Sequence, residues 1–251
     1  MEGFAEDAFG CPLEGGTRDI HGFSARQTSL WDGGITENSF AADGRENMRR
    51  RDDLMIGPRE KAIEAIEAGK KEEAIRYIGE LVEEFRPLHD RYTEWIQSLL
   101  VFIAERVGEE AVEEALVKTF DDVYRGKLLS LKNMSHEDVV KSRSKSHRSH
   151  FSKFHIEEDD EKTIIVIDYC GSGGHIQKEG KLSRGKTKGR FPWSFDQAGV
   201  CYYCCHEAVF SQFYPELGMD FMKYEFHRQF DDQGRPTGQP CRWIIYKRKK
   251  T

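Results

Sequence analysis

Hydrophobic positions recur at three- and four-residue steps from Pro58 onward, and the segment before Pro58 shows no sustained period. Ala62, Ile63 and Ile66, then Ala74, Ile75, Ile78, Leu81, Val82 and Phe85, keep the spacing of one helical face. Pro58 suits a first helical turn, where its missing N–H costs nothing. Gly69 is expected to separate two short helices, and Pro87 to start or kink a longer one. The apolar face of that longer helix is Leu88, Tyr92, Trp95, Ile96, Leu99, Phe102 and Ile103. Gly108 punctuates, and Ala111, Ala115, Leu116 and Phe120 continue a further helix. Ser135-His-Glu-Asp has the form of a helix cap. Residues 57–150 thus form a helical region. Residues 1–56, rich in glycine with scattered aromatics, are expected to be an extended arm that wraps the body or pairs with a partner subunit.

The period changes at His155. An acidic turn is expected from Glu157 to Glu161. Thr163-Ile-Ile-Val-Ile then has the composition of a buried strand, ending at Cys170 and Gly171-Ser-Gly-Gly. No helix clearly follows those glycines. A helix from about Ala198 to Leu217 carries a cysteine cluster, Phe221 to Arg228 alternates as a strand, and Cys241 to Tyr246 forms the last one. The expected class is α+β: an N-terminal helical bundle region, then a small, mostly antiparallel sheet with a cysteine-bearing helix. The division is 1–56, 57–150 and 151–251.

Composition narrows the setting. The 251 residues are 33% charged and 38% hydrophobic, with a net charge of −6. No apolar run approaches the ~20 residues of a membrane helix. The first residues lack the basic and then apolar regions of a signal peptide. A cytoplasmic protein is expected, without membrane association, and the acidic balance makes nucleic acid an unlikely partner. Five of the six cysteines lie after residue 169, and a reducing compartment turns attention from disulfides to metal or thiol chemistry.

The candidate chemistry follows. Cys201, Cys204, Cys205 and His206 have ligand types suited to zinc, with iron possible. On a helix not all four can serve one ion, which leaves Cys204 with His206, or Cys201 with Cys205. Buried structural cysteines are the plain alternative. Cys170, rigid at a strand end, is a catalytic candidate, and the glycine turn beyond it can aim backbone amides at an anion. His150, near His147 and His155, is a candidate proton carrier. His89-Asp90 either lines a pocket or is a satisfied histidine. Six basic residues between Lys178 and Arg190 read as a lid over a small anionic molecule, with Lys186, Arg190 and Trp193 as candidate substrate contacts.

The strand ending in Cys170-Gly-Ser-Gly-Gly, the cysteine-bearing helix, and the strands at Phe221–Arg228 and Cys241-Arg-Trp-Ile-Ile-Tyr together resemble the vinyl-reductase-type small-molecule-binding domains. They also resemble the related family similar to L-2-amino-thiazoline-4-carboxylic acid hydrolase. The likeness covers roughly residues 150–247. It implies a zinc site beside a ligand pocket, carried by Cys170, Cys204 or Cys205, and Cys241. Joined to the cluster, the expected metal ligands are Cys170, Cys204, His206 and Cys241. The expected function is a zinc- or iron-dependent hydrolase or lyase acting on a small anionic molecule. The alternatives are a ligand-binding or sensor domain with structural zinc, and a thiol redox protein. A homodimer is a possible assembly.

Overall fold

The computed structural model describes residues 54–180 and 185–248. The expected arm lies outside them apart from residues 54–56. The described residues contain helices α1 (Pro58–Glu67), α2 (Lys71–Arg106), α3 (Glu109–Thr119), α4 (Arg125–Leu131) and α5 (His136–Ser149). Strands β1 (Lys153–Glu158) and β2 (Lys162–Tyr169) follow, then α6 (Gly173–Lys178), α7 (Cys205–Gln212), β3 (Met222–Glu225) and β4 (Cys241–Tyr246). The strands form one antiparallel sheet in the order β1-β2-β4-β3. The class is α+β, as expected.

Local chemistry accounts for several boundaries. Pro58 opens α1, and Gly69 and Gly108 end α1 and precede α3 with φ of +69° and +118°, where a side chain would be strained. The Ser135 hydroxyl caps α5 by accepting from the Asp138 N–H at 3.1 Å. At the β1–β2 turn Asp159 accepts from the amides of Glu161 and Lys162.

Four expectations change. Pro87 starts nothing: α2 runs unbroken for 36 residues through it. Residues 157–158 belong to β1 rather than to the turn, and β1 is largely exposed. A helix, α6, does follow the glycines. The cysteine-bearing helix is short, because Gly199 adopts φ +76° and residues 202–204 form a 3-10 turn before α7 begins.

The core spans the boundary expected at residue 150. One core joins Leu100, Val112 and Phe120 from the helices to Ile165, Ile167 and Trp243 from the sheet. The middle strands β2 and β4 supply its floor. No described helix is long and apolar enough to cross a membrane.

The direction of α2's faces is the main departure. Thr93, Gln97, Leu100 and Val101 pack onto the body, with His89 beside them. The apolar stripe from Ile78 to Phe102 turns outward, its members 39–61% exposed.

Candidate active site

The closest gathering of reactive side chains forms where α2, the end of α5 and the start of α6 meet. Glycine makes the meeting possible. A Cβ on Gly171 would lie 1.8 Å from the His150 carbonyl oxygen, and one on Gly173 would lie 2.3 Å from Cys204 Sγ. Neither approach tolerates a side chain, and the first is against backbone that cannot step aside. Residue 172 is therefore carried against the last turn of α5.

Two buried amides brace this turn from behind. Gln229 accepts from the Cys170 N–H at 2.7 Å and donates to the Ile167 carbonyl at 2.6 Å. Gln177 Oε1 accepts from the Gln229 N–H at 3.1 Å. On the other side Gln97 accepts from the Tyr203 N–H and donates to the Gly185 carbonyl, both at 2.8 Å.

Within this frame Ser172 Oγ lies 2.8 Å from His150 Nδ1 and 3.2 Å from His89 Nε2. The two imidazole nitrogens are 3.0 Å apart. His89 Nδ1 is 2.9 Å from Asp90 Oδ1. One tautomer assignment accommodates the Asp90 and Ser172 contacts and leaves the 3.0 Å approach of the two ring nitrogens without a proton of its own. His89 donates Nδ1–H to Asp90, which leaves its Nε2 lone pair facing the Ser172 hydroxyl, and His150 donates Nδ1–H to Ser172 Oγ. The carboxylate thereby fixes the His89 tautomer. The resulting order, carboxylate–imidazole–hydroxyl, is that of an activated nucleophile.

Electrostatics favour neutral rings at His150 and its neighbour His147. Burial, then the proximity of His89 and His206, push the His150 pKa below its ordinary value. Burial drives His147 down to about 4. The Phe151 ring lies edge-on to His89, with centroids 5.3 Å apart. Phe151 holds this place with φ +55°, a strained conformation for an aromatic residue. Ser172 and His89 are buried beneath it. Burial also raises the Tyr203 phenol, with hydrogen bonding to Ser172 opposing that rise in part.

The other expected residues fall elsewhere. His155 is exposed on β1 and pairs with Asp168 at 2.9 Å. Trp193 is a core residue, 2% exposed and stacked on Phe191, so it offers no face to a substrate. Lys186 is paired with Asp232 at 2.7 Å, and Arg190 donates to the Asp196 carbonyl. Neither is among the hydrogen-bonding partners of Ser172, His89 or His150. Residues 181–184 of the basic loop lie outside the described residues.

Of the expected ligands Cys170, Cys204, His206 and Cys241, the last three are engaged with other groups. His206 Nδ1 faces the Tyr203 carbonyl and its Nε2 lies 3.3 Å from Glu207. Burial lowers the His206 pKa, but the Glu207 carboxylate and that carbonyl outweigh it and raise it, and both ring nitrogens face acceptors. The Cys241 thiol donates to the His227 carbonyl, and burial pushes it up to about 11. Cys204 is held well above the ordinary thiol value by hydrogen bonding with the Cys201 thiol and by burial. Among the described residues no three His, Cys, Asp or Glu side chains converge as a metal site.

Of the expected catalytic pair, His150 is in the cluster, while Cys170 backs the glycine turn and hydrogen-bonds to Gln229 through its main chain only. His89 is a buried, satisfied histidine, with partners on both ring nitrogens, and it lines none of the cavities described. Ser172 was embedded in the glycine turn without a signal of its own. A cavity of about 330 Å³ opens farther along α2, lined by Arg91, Trp95, Ser98 and Ile176 among others, with no histidine, serine nucleophile or cysteine of the cluster in its wall. No family model, curated protein or solved structure matches the chain.

Proposed function

We propose that this chain is a hydrolase of a small ester or amide, with Ser172 as nucleophile and His89 as its base. The observation that supports the reading is the Ser172 hydroxyl within hydrogen-bond distance of two imidazole nitrogens, one of them on a ring backed by Asp90. Ser172 Oγ attacks the carbonyl carbon, and its proton passes to His89 Nε2. The C–O or C–N bond to the leaving group breaks, and the departing alcohol or amine takes that proton. Water, deprotonated by the same nitrogen, then releases the acyl group and restores the hydroxyl. Asp90 stabilises the transient imidazolium, and His150 Nδ1–H orients the serine oxygen.

Ser172 and His89 are buried, so substrate entry requires the side chains around them, the Phe151 ring beside His89 among them, to move. Lys186 and Arg190 are engaged with other groups and contribute nothing to this reading. The zinc or iron expectation enters no step, and elemental analysis of the purified chain tests it separately. Thiol chemistry at Cys204 or Cys205 is disfavoured, because burial and neighbouring cysteines keep both thiols protonated.

The test is hydrolysis of nitrophenyl ester and anilide panels by wild type, Ser172→Ala and His89→Ala. Turnover by wild type that both substitutions abolish is expected. Undiminished turnover in Ser172→Ala would overturn the reading.

A further inference from the structure

The outward stripe of α2 keeps a strict heptad spacing: residues 78, 81, 85, 88, 92, 95, 99 and 102, in steps of three and four. That spacing over four heptads is the signature of a helix that packs along another helix of similar length. Among the described residues no element covers the stripe, and α1, at 10 residues, is too short to do so. We infer that this face is the interface between two copies of the chain, packed antiparallel through α2.

Two observations favour a second copy. The first is register. In an antiparallel pair whose facing residue numbers sum to 180, every stripe residue meets another: Ile78 with Phe102, Leu81 with Leu99, Phe85 with Trp95, and Leu88 with Tyr92. In the same register Val82 meets Ser98 and Ile96 meets Glu84, so these two apolar side chains flank the seam rather than pair across it. Self-complementarity of this kind is what a two-fold interface demands. The orientation has its own support. Residues 81–88 are all exposed, with Phe85 and Arg86 touching the Phe151 ring, while the buried positions of α2 against the sheet-bearing body begin at His89. Antiparallel packing sets that bare stretch of one copy beside the body of the other.

The second observation is area. Eleven large apolar side chains on the stripe and its edge, each about half exposed, offer on the order of 1,000 Å² per copy, above the roughly 800 Å² per partner of a stable interface. An apolar surface of that extent is uncommon on a monomer.

The measurement is sedimentation velocity on the full chain, with Leu81→Glu/Leu99→Glu alongside. Both positions are exposed within one copy, so helix content by circular dichroism should be unchanged. Wild type is expected to sediment as a dimer at micromolar concentration, and the double variant as a monomer, with affinity reduced at least 100-fold. Mixing Leu81→Cys chains with Leu99→Cys chains should give a disulfide between different chains. A monomeric wild type would overturn the proposal, and so would a dimer that the double variant leaves intact. If residues 1–53 of the same chain cover the stripe instead, wild type is monomeric, and deleting them increases binding of a hydrophobic dye. That outcome also overturns it.

Discussion

The two faces of α2 are inverted relative to the usual pattern. Toward the body the helix presents His89, Thr93 and Gln97, all buried and all hydrogen-bonded. Toward the outside it presents an unbroken apolar stripe. A helix that serves only the core does the opposite. The inversion separates two tasks: the inner face supports a buried polar network, which is specific only while every member is satisfied, and the outer face is left for association. Substitutions at His89 and Gln97 load the inner face, and those at Leu81, Trp95 and Leu99 load the outer one.

The largest expected effect belongs to the inner face. Ser172→Ala or His89→Ala should lower kcat on the responsive substrate by about 10³-fold or more, with little change in fold, because the remaining histidine contacts persist. Asp90→Asn should cost about 10²-fold or more through the wrong His89 tautomer. A uniform rise in KM with unchanged kcat would instead mark these residues as binding groups.

Next is acid sensitivity. His147 and His150 are held neutral in the folded chain, with pKa values below those of the unfolded chain. Above the unfolded value of about 6.5 both states are neutral and nothing is lost. As pH falls below it, only the unfolded chain takes up protons, so stability falls. For His147 the loss continues to about pH 4 and amounts to roughly 3 kcal/mol at most. Urea midpoints between pH 7 and 4.5 check this, and His147→Gln should flatten the decline.

The smallest effects sharpen the contrast most cleanly when read in the monomeric Leu81→Glu/Leu99→Glu chain. Gln97→Ala orphans the Tyr203 amide and the Gly185 carbonyl and should cost about 1–3 kcal/mol in urea unfolding. Trp95→Ala, only two residues away but on the outer face, should stay within about 0.5 kcal/mol. Equal costs would mean that α2 has no such division of labour.

The sequence made the helix periods, the Ser135 cap and the strands at Thr163 and Cys241 legible, because each is encoded within a few neighbouring residues. It could not say which face of α2 turns inward, since periodicity reports that a face exists and not what covers it. Strand β1 went unseen because its alternation, Phe154 and Ile156 between polar neighbours, is only two apolar residues long and runs into an acidic stretch. Helix α6 went unseen because two glycines open it. The site was half visible: His150 stood out as a proton carrier and His89-Asp90 as a pocket candidate. Their union with Ser172 depends on contacts 61 and 83 residues apart in the chain, which no local spacing encodes. The one local hint was Gly171-Ser-Gly-Gly, where glycine permits the close approach to His150.

The most direct test of the central claim is covalent labelling of Ser172. Purified full-length chain is treated with a small fluorophosphonate, which forms a stable adduct with a serine whose hydroxyl an adjacent imidazole activates. Peptide mass spectrometry should place one phosphonyl group on Ser172 in wild type and none in His89→Ala. An unlabelled Ser172 in wild type, or equal labelling in both chains, would contradict the account.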